Sequence, residues 1–386
     1  MRRASHRLDR RQFVAGAVAL PVAGLVIPAG GGRVARSDRA RVGLVGCGGR
    51  GTGAALHAAA TGGVVITCMA DAFADQIESS VAVLESRAAA AFACPPERRF
   101  AGLSAWRHVV EADVDLVILA TPPAFRPAHA AAAVRSGRHV WCETPGAVDE
   151  AGVRLLASAT VEAASRGLSF VSGLGRRHDP ATARLVERIR SGAWGRPLSA
   201  LVRADLGLPW FRPARPEWTA GESALRNWIS HARYSGGHFV ERHVAAIDMA
   251  LHALGDVDPV AALPDVRPGT VRYLLADGRH VDAALRRRHG APGHVEELVV
   301  CTGGLRDVRR PADAPHGDGD PLRSAMTALV ESIRAGRRVD DGPWICRATL
   351  AAIIGRDALA AGRAVAWPGS PGGPPFPARP LQSVHS

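Results

Sequence analysis

At 386 residues the chain is long enough for two domains with a substantial core. Hydrophobic residues make up 47% and charged residues 22%, which excludes a mainly disordered chain. The net charge of +12 does not mark a nucleic-acid footprint: residues 1–40, with eight arginines and two acids, carry half of it. Arg286-Arg287-Arg288 and Arg309-Arg310 lack interleaved aromatics and read as solvated surface.

In chain order, the first feature is Asp9-Arg10-Arg11-Gln12-Phe13-Val14, which resembles a twin-arginine export motif. The apolar stretch Phe13–Ile27 follows. It is too short to span a bilayer, which takes about 20 apolar residues, but it suits a signal segment. The expectation is export by the twin-arginine machinery to the periplasm or the exterior. No later stretch is apolar and long enough to span a membrane. Residues 1–40 are assigned to signal and linker.

From residue 41 apolar strands and helical patterns alternate. Arg41–Val45 reads as a strand, Gly53–Ala60 as an alanine-rich helix and Val64–Met69 as a second strand ending at Ala70-Asp71. Asp75–Ala91 is helical, Val114–Ala120 a buried strand, Pro127–Ser136 a helix and His139–Cys142 a strand. Such alternation with continuous apolar strands predicts a doubly wound parallel sheet over residues 41–173. After residue 173 the pattern changes. The helix Pro180–Ser191 ends at Gly192, and a loop rich in Trp, Pro and Arg spans 207–228. Short strands at Val271–Leu275, His280–Leu285 and Val295–Cys301 predict a second α/β domain over 174–367 with a mostly antiparallel open sheet. Two helices, near Leu322–Ala335 and Ala348–Ala361, are expected to close it, followed by a Pro/Gly-rich tail over 368–386. The six cysteines have no C-x-x-C spacing, so buried free thiols are expected, and no zinc pattern is visible.

Gly46-Cys47-Gly48-Gly49-Arg50-Gly51 directly follows the first strand and opens a helix, the context in which G-x-G-x-x-G carries meaning. Gly46 permits the tight turn, Gly48 lets backbone approach a pyrophosphate, and Gly51 lets the helix pack on the strand. The helix N-terminus then offers free N–H groups to the phosphates, with Gly49 and Arg50 beside them. Asp71 ends the second strand, 20 residues after Gly51, where an acid accepts hydrogen bonds from ribose hydroxyls and favours NAD. NADP stays open, because Arg50 can reach a 2′-phosphate from within the loop.

These residues resemble the glucose–fructose oxidoreductase, inositol dehydrogenase and MocA (Gfo/Idh/MocA) family over roughly 41–368. The likeness includes the glycine loop, Ala120-Thr121-Pro122-Pro123 with His129 in the next helix, and Gly137-Arg138-His139-Val140. It continues through Glu143-Thr144-Pro145, Gly173-Leu174-Gly175-Arg176-Arg177-His178-Asp179-Pro180, Gly192-Ala193-Trp194-Gly195 and the stretch from Ala348 to Pro368. With Asn227-Trp228 and Ser235-Gly236-Gly237-His238 it looks most like a secreted bacterial branch. The resemblance implies a Rossmann domain plus an α/β substrate domain and hydride transfer between a nicotinamide and a sugar or polyol; the exposed face of an open sheet points to a homo-oligomer. It assigns Thr121, Pro122, His129, Glu143, Thr144 and Pro145 to the cofactor side.

The chain departs from the family pattern where the proton is handled. The lysine that follows the Glu is Thr144, and no lysine occurs anywhere to replace it. With Asp248 aligned, the usual second-domain His becomes Ala245. Glu241 shares a helix face with Ala245, and His238 lies three residues from Glu241. Glu241, His243, His238 and Tyr234 are therefore the candidate proton-handling groups. Arg177 is a candidate clamp for substrate hydroxyls or a carboxylate, and Trp228, with Trp210 and Trp218, a candidate platform for a sugar face. Three functions stay open: an exported sugar or polyol oxidoreductase with a tightly held nicotinamide, a redox-neutral NAD-dependent glycosidase, and a non-catalytic dinucleotide or sugar binder. The first follows from export in the folded state, since no nicotinamide pool exists outside the cytoplasm.

Overall fold

The computed structural model describes residues 39–206, 209–287, 294–309 and 320–370. The export motif, the apolar stretch Phe13–Ile27, Arg288, Arg310 and the tail from residue 371 lie outside them.

The first sheet is built from β1 (Ala40–Val45), β2 (Val64–Asp71), β3 (Arg99–Ala101), β4 (Leu116–Leu119), β5 (His139–Cys142) and β6 (Phe170–Ser172). All its pairings are parallel and the order is β3-β2-β1-β4-β5-β6, a doubly wound Rossmann sheet. Its crossovers are α1 (Gly49–Ala59), α2 (Ala74–Ala88), α3 (Trp106–Glu111), α4 (Arg126–Arg135) and α5 (Glu150–Ser165). The continuous apolar run of β4 is buried throughout, because helices cover both faces of the sheet. Helix α5 begins where Asp149 caps it by accepting from the Gly152 N–H at 2.7 Å.

The chain then passes through α6 (Pro180–Arg190), β7 (Pro197–Leu206), α7 (Ala220–Arg226), α8 (Ala232–Ser235) and α9 (His238–Ala253). The strands β8 (Pro259–Pro264), β9 (Thr270–Leu275), β10 (His280–Arg287), β11 (His294–Cys301) and β12 (Gly304–Asp307) follow. The chain ends in α10 (Pro321–Arg334), α11 (Gly342–Ala361) and β13 (Val365–Ala366). The second sheet has the order β12-β11-β7-β10-β9-β8-β13, and all its pairs are antiparallel except β7 with β10. The α/β class with a second, mostly antiparallel sheet is thus the architecture of the protein. Both sheets lie in one compact unit.

The two closing helices do not both serve the second sheet. Helix α10 lays Ala325, Met326, Leu329, Val330 and Ile333 into the apolar core formed by Val42, Leu44, Ile66 and Trp141, on the Rossmann side. Helix α11 is apolar around most of its circumference and is buried among α5, α9 and β8. At Gly355 an added Cβ would lie 1.9 Å from the Tyr273 hydroxyl, so α11 meets β9 only as glycine there. The C-terminal segment therefore locks the second sheet against the first. All six cysteines are buried thiols. Among the described residues no helix is long and apolar enough to cross a membrane.

Candidate active site

The turn after β1 is shaped by sterics. Gly46 has φ of 95°, and a Cβ there would fall 2.6 Å from the Ala120 carbonyl carbon. A Cβ on Gly51 would fall 1.8 Å from the Gly46 carbonyl oxygen, so α1 can pack against the turn only with glycine at this position. Gly48 and Gly49 behave differently. Around Gly49 nothing lies within 4 Å of an added Cβ, and Gly48 meets only the Gln76 side chain at 4.0 Å. The backbone there faces open space, as a pyrophosphate cradle requires.

That space is a cleft of about 460 Å³, lined by Gly46, Gly48, Gly49, Arg50, Gly51 and Asp71 and, across the sheet, by Thr121, Pro122 and His129. The Asp71 carboxylate accepts from the Cys47 N–H at 2.7 Å and from the Phe73 N–H at 3.0 Å. Burial raises its pKa, and those two backbone bonds oppose the rise. The acid is held at the end of β2 by the glycine turn itself, with its free lone pairs toward the cleft. His129 pairs with the Thr121 hydroxyl at 3.2 Å and stacks on Trp106, with centroids 4.5 Å apart. Burial and then the neighbouring Arg126 push its pKa down to about 4, so it is a neutral wall of the cleft.

Arg50 does not point toward Asp71. Its Nε donates to Glu143 Oε2 at 2.8 Å, at the end of β5, while Trp141 Nε1 donates to Glu143 Oε1 at 2.9 Å. The 2′-phosphate option for Arg50 is thereby corrected: at the Asp71 end the lining cations are Arg212 and Arg226, which belong to the second half of the chain. Glu143 is enclosed, and a Cβ on Gly173 would come 2.7 Å from its Oε2, which explains the glycine after β6. Thr144 is half-buried and its peptide to Pro145 is cis. Glu143, Thr144 and Pro145 do not line the 460 Å³ cleft; Glu143 reaches it through Arg50. Arg126, fully buried at the start of α4, ties this corner by donating to the carbonyls of Glu143 at 3.2 Å and Pro145 at 2.6 Å.

Glu241 enters this corner from the first turn of α9. Its Oε1 is enclosed with no hydrogen-bond partner among the described residues, although the residue as a whole is only half-buried. Burial pushes its carboxyl up to about 7; Arg126, Arg242 and Arg50 pull it down, and Glu143 adds to the rise. One turn on, Ala245 is exposed on the same face. Two carboxylates and two arginines from both halves of the molecule thus share one corner, and Glu241 is the member that can exchange a proton near neutral pH.

Two other candidates fall outside this corner. His243 is fully buried, stacked on Phe239 at 4.4 Å, with its nitrogens 3.2 Å from the Phe239 carbonyl and 3.1 Å from that of Ala284. Burial lowers its pKa, and it pins α9 to β10 rather than facing the cleft. It is two residues from Glu241 on a helix, so the two point to different sides. Arg177 cannot clamp a substrate: Asp248 holds it at 2.8 Å through two nitrogens, Asp256 takes a third bond at 2.8 Å, and Trp344 covers its guanidinium at 4.5 Å. Burial opposes its charge, but the two aspartates more than offset this and its pKa is raised.

His178 is likewise structural, 3.0 Å from Asp341, which also accepts from Ser172 at the end of β6. Tyr234 stacks on Phe125 at 5.9 Å, behind the cleft wall, and His238 is half-buried at the start of α9; neither lines the cleft. Trp228 and Trp210 do line it, but on the Asp71 side, so they are not a sugar platform near Glu241; Trp218 covers Arg226. Sequence reasoning missed Arg126, Trp106, Phe125, Arg212 and Arg226. The one available signal was Arg126-Pro127, a basic residue at a helix start just after the strand-end motif.

A parallel sheet with a glycine turn, a phosphate cradle and an acid at the end of β2 defines a dinucleotide-binding Rossmann protein. Residues 40–167 match the GFO_IDH_MocA family model, described as oxidoreductase family, NAD-binding Rossmann fold. A glycosyl hydrolase family 109 protein of Streptomyces coelicolor is 37% identical over 109 residues, 28% of this chain and 22% of that protein. Inositol 2-dehydrogenase 4 of Saccharopolyspora erythraea is 43% identical over 91 residues, 23% of this chain and 26% of its own length. The matched stretch thus spans about a quarter of those curated relatives. In fold, the chain resembles myo-inositol 2-dehydrogenase of Lactobacillus plantarum, with a TM-score of 0.66 at 16% identity, covering 85% of this chain and 99% of that one. Levoglucosan dehydrogenase in complex with NADH and L-sorbose gives 0.65 at 18% identity, with 86% and 100% covered.

Proposed function

We propose that the protein is an exported NAD(P)-dependent oxidoreductase acting at a CH–OH carbon of a sugar or polyol, with Glu241 handling the hydroxyl proton. One observation carries the proposal: an enclosed carboxyl oxygen of Glu241, with no hydrogen-bond partner among the described residues, stands in a corner with Glu143, Arg50 and Arg126. The open backbone at Gly48 and Gly49 and the acid Asp71 fit a dinucleotide, with NAD the first expectation and NADP open. When bound, the nicotinamide takes up the hydride.

The chain does the rest. Glu241 as carboxylate accepts the hydroxyl proton as the carbonyl forms, and as carboxylic acid it returns it in the reverse direction. A pKa near the working pH makes both directions efficient. Arg50 donates to the Glu143 carboxylate beside it, and the charges of Arg126 and Arg50 keep Glu241 from rising further. Thr144 fills space where the family carries lysine, since a hydroxyl is a poor base near neutral pH.

Glucose-type sugars, inositols and other polyols form the first substrate panel. Export through the twin-arginine machinery is the proposed localisation, to be tested by replacing Arg10 and Arg11 with lysine and following the protein to the periplasm or medium. Homo-oligomerisation is supported by the outer face of the second sheet, where Leu201, Leu298 and Val300 remain only half-buried in a single chain. The direct test is mass spectrometry of the nucleotide released on denaturation, followed by turnover of the panel with the wild type and Glu241→Gln. Turnover unaffected by Glu241→Gln overturns the assignment.

A second reading is a redox-neutral glycosidase, favoured by the likeness to the family 109 hydrolases over the Rossmann segment. Aglycone release without net NADH would select it. A non-catalytic dinucleotide or sugar binder is the outcome if no substrate turns over and neither Thr144→Lys nor Ala245→His gains activity.

A further inference from the structure

The cleft has a wall that no Rossmann domain supplies by itself. Over the end of β2, opposite Asp71, Phe73 and Gln76, it is closed by Trp210, Arg212, Leu225, Arg226 and Trp228. These residues come from the segment 209–228, between β7 and α8. The segment is internally braced. The Asn227 side chain, itself buried, accepts from the Arg212 N–H at 2.7 Å and donates to the Arg212 carbonyl at 3.0 Å. It also donates to the Ser223 carbonyl at 3.1 Å, and Trp210 meets Trp228 edge-on at 6.2 Å. A compact loop closed on itself in this way keeps its shape.

Its main link to the first domain is one side chain. Arg226 donates to both oxygens of Asp75, at 2.9 and 3.0 Å, in the first turn of α2. Its guanidinium also lies 3.9 Å over the Phe73 ring and 4.6 Å over the Trp218 ring, with Glu222 accepting at 2.9 Å. A planar guanidinium between two rings and two carboxylates is a site only arginine fits. Arg212 adds a weak contact of 3.4 Å to Gln76. The same residues that line the adenosine end therefore carry a latch within a few positions of it.

We infer that segment 209–228 is a strap that roofs the adenosine end of the dinucleotide site, and that the Arg226–Asp75 latch sets how slowly the cofactor leaves. Arg226 is a positioning residue in this scheme: it holds the strap, and the strap residues Trp210, Arg212 and Trp228 contact the ligand. The inference rests on the dinucleotide reading above and deepens it. It gives a structural reason for the cofactor to remain with the protein where none is available for exchange.

The probe is NADH bound to the full-length chain, with NADPH as the second choice, its dissociation followed by fluorescence after dilution into excess unlabelled NAD. Arg226→Gln and Asp75→Asn should each speed release by about tenfold, the effect of losing a bidentate, ring-stacked ion pair at a partly exposed site. The exchanged pair Arg226→Asp with Asp75→Arg should recover part of the loss. NADH should also slow chymotrypsin cleavage after Phe211 and Trp218 in the wild type and do so less in Arg226→Gln. Asp75→Asn changes only an exposed side chain of the first domain, so the test survives if Arg226→Gln does not fold. Binding of NADH with release rates and cleavage unchanged in both variants overturns the strap and leaves the cofactor reading standing. A wild type that binds neither NADH nor NADPH overturns both.

Discussion

Two clusters of arginine and carboxylate sit on the two sides of α9, and they differ in one respect. Around Arg177 every charge is answered. Asp248 and Asp256 hold it, His252 and Arg190 complete the ring at Asp256, and Arg347 joins Asp256 from α11. Burial alone would raise the Asp256 carboxyl, but the His252 hydrogen bond and the Arg177 and Arg347 charges hold it far below the usual range. Around Glu241 the count is incomplete: Arg50 and Trp141 satisfy Glu143, Arg126 serves backbone carbonyls, and Glu241 Oε1 has no hydrogen-bond partner among the described residues. A closed network contributes rigidity and has no proton to give. An open one stores an unfavourable carboxylate that a reacting hydroxyl can relieve, which is how structural and chemical charge clusters can be told apart.

The largest expected difference is at Glu241. Glu241→Gln should lower kcat by about 10²- to 10⁴-fold on whichever sugar or polyol turns over, and remove the limb of the pH–rate profile near pH 7. The same change should stabilise the protein. The folded carboxyl sits at about 7 against an ordinary 4.5, so between those values the folded state keeps a proton that the unfolded chain has lost. Stability therefore falls as pH rises through that window, and the full penalty remains above it. Thermal unfolding should show Glu241→Gln more stable than wild type by about 1–3 kcal/mol at pH 8 and equal to it at pH 4. A destabilised Glu241→Gln at pH 8 would erase the contrast between the clusters.

Arg177→Ala should do the reverse. Removing the centre of a closed buried network leaves Asp248 uncompensated and should cost about 3–5 kcal/mol in denaturant unfolding. The folded fraction should keep the wild-type pH profile.

His243→Leu belongs with Arg177. It removes the one N–H that the neutral imidazole donates to a buried carbonyl and should cost about 1–3 kcal/mol of stability while leaving the pH–rate profile in place. A shifted pH profile in this variant would return His243 to the proton path.

The smallest effect is expected at Thr144→Lys. Placed beside Arg126 and Arg50 in an already cationic corner, the new ammonium should lower the Glu241 pKa and move the pH–rate limb to lower pH by about one unit or less, read from the same profile.

How much of this was legible beforehand differs by region. The glycine turn, Asp71 and the alternating apolar runs through Cys142 rest on local sterics and on contacts between neighbouring segments, and the first domain matches them to within a few residues. Helix α1 begins at Gly49 rather than Gly53, because glycine is counted against helix propensity although Gly51 is required by the turn. Strand β3, of three residues, and helix α3, of six, carry too few residues for a periodicity to emerge. Helix α11 begins at Gly342, six residues earlier than expected, since Pro343 near its start reads as a break although proline suits the first helical turn.

The sequence by itself determined the Rossmann turn, the acid at the end of β2 and the absence of lysine. These follow from residue identity and short-range geometry. Only the tertiary structure decided which charged residue is spent on structure and which is left over. Arg177 and Glu241 look equally chemical along the chain, but one is enclosed by partners from Asp248 to Trp344 and the other is not. It also decided that α10 joins the first core and that residues 209–228 roof the cofactor cleft. Each of these is a pairing across many residues of chain, and no local pattern encodes which distant surface a side chain will meet.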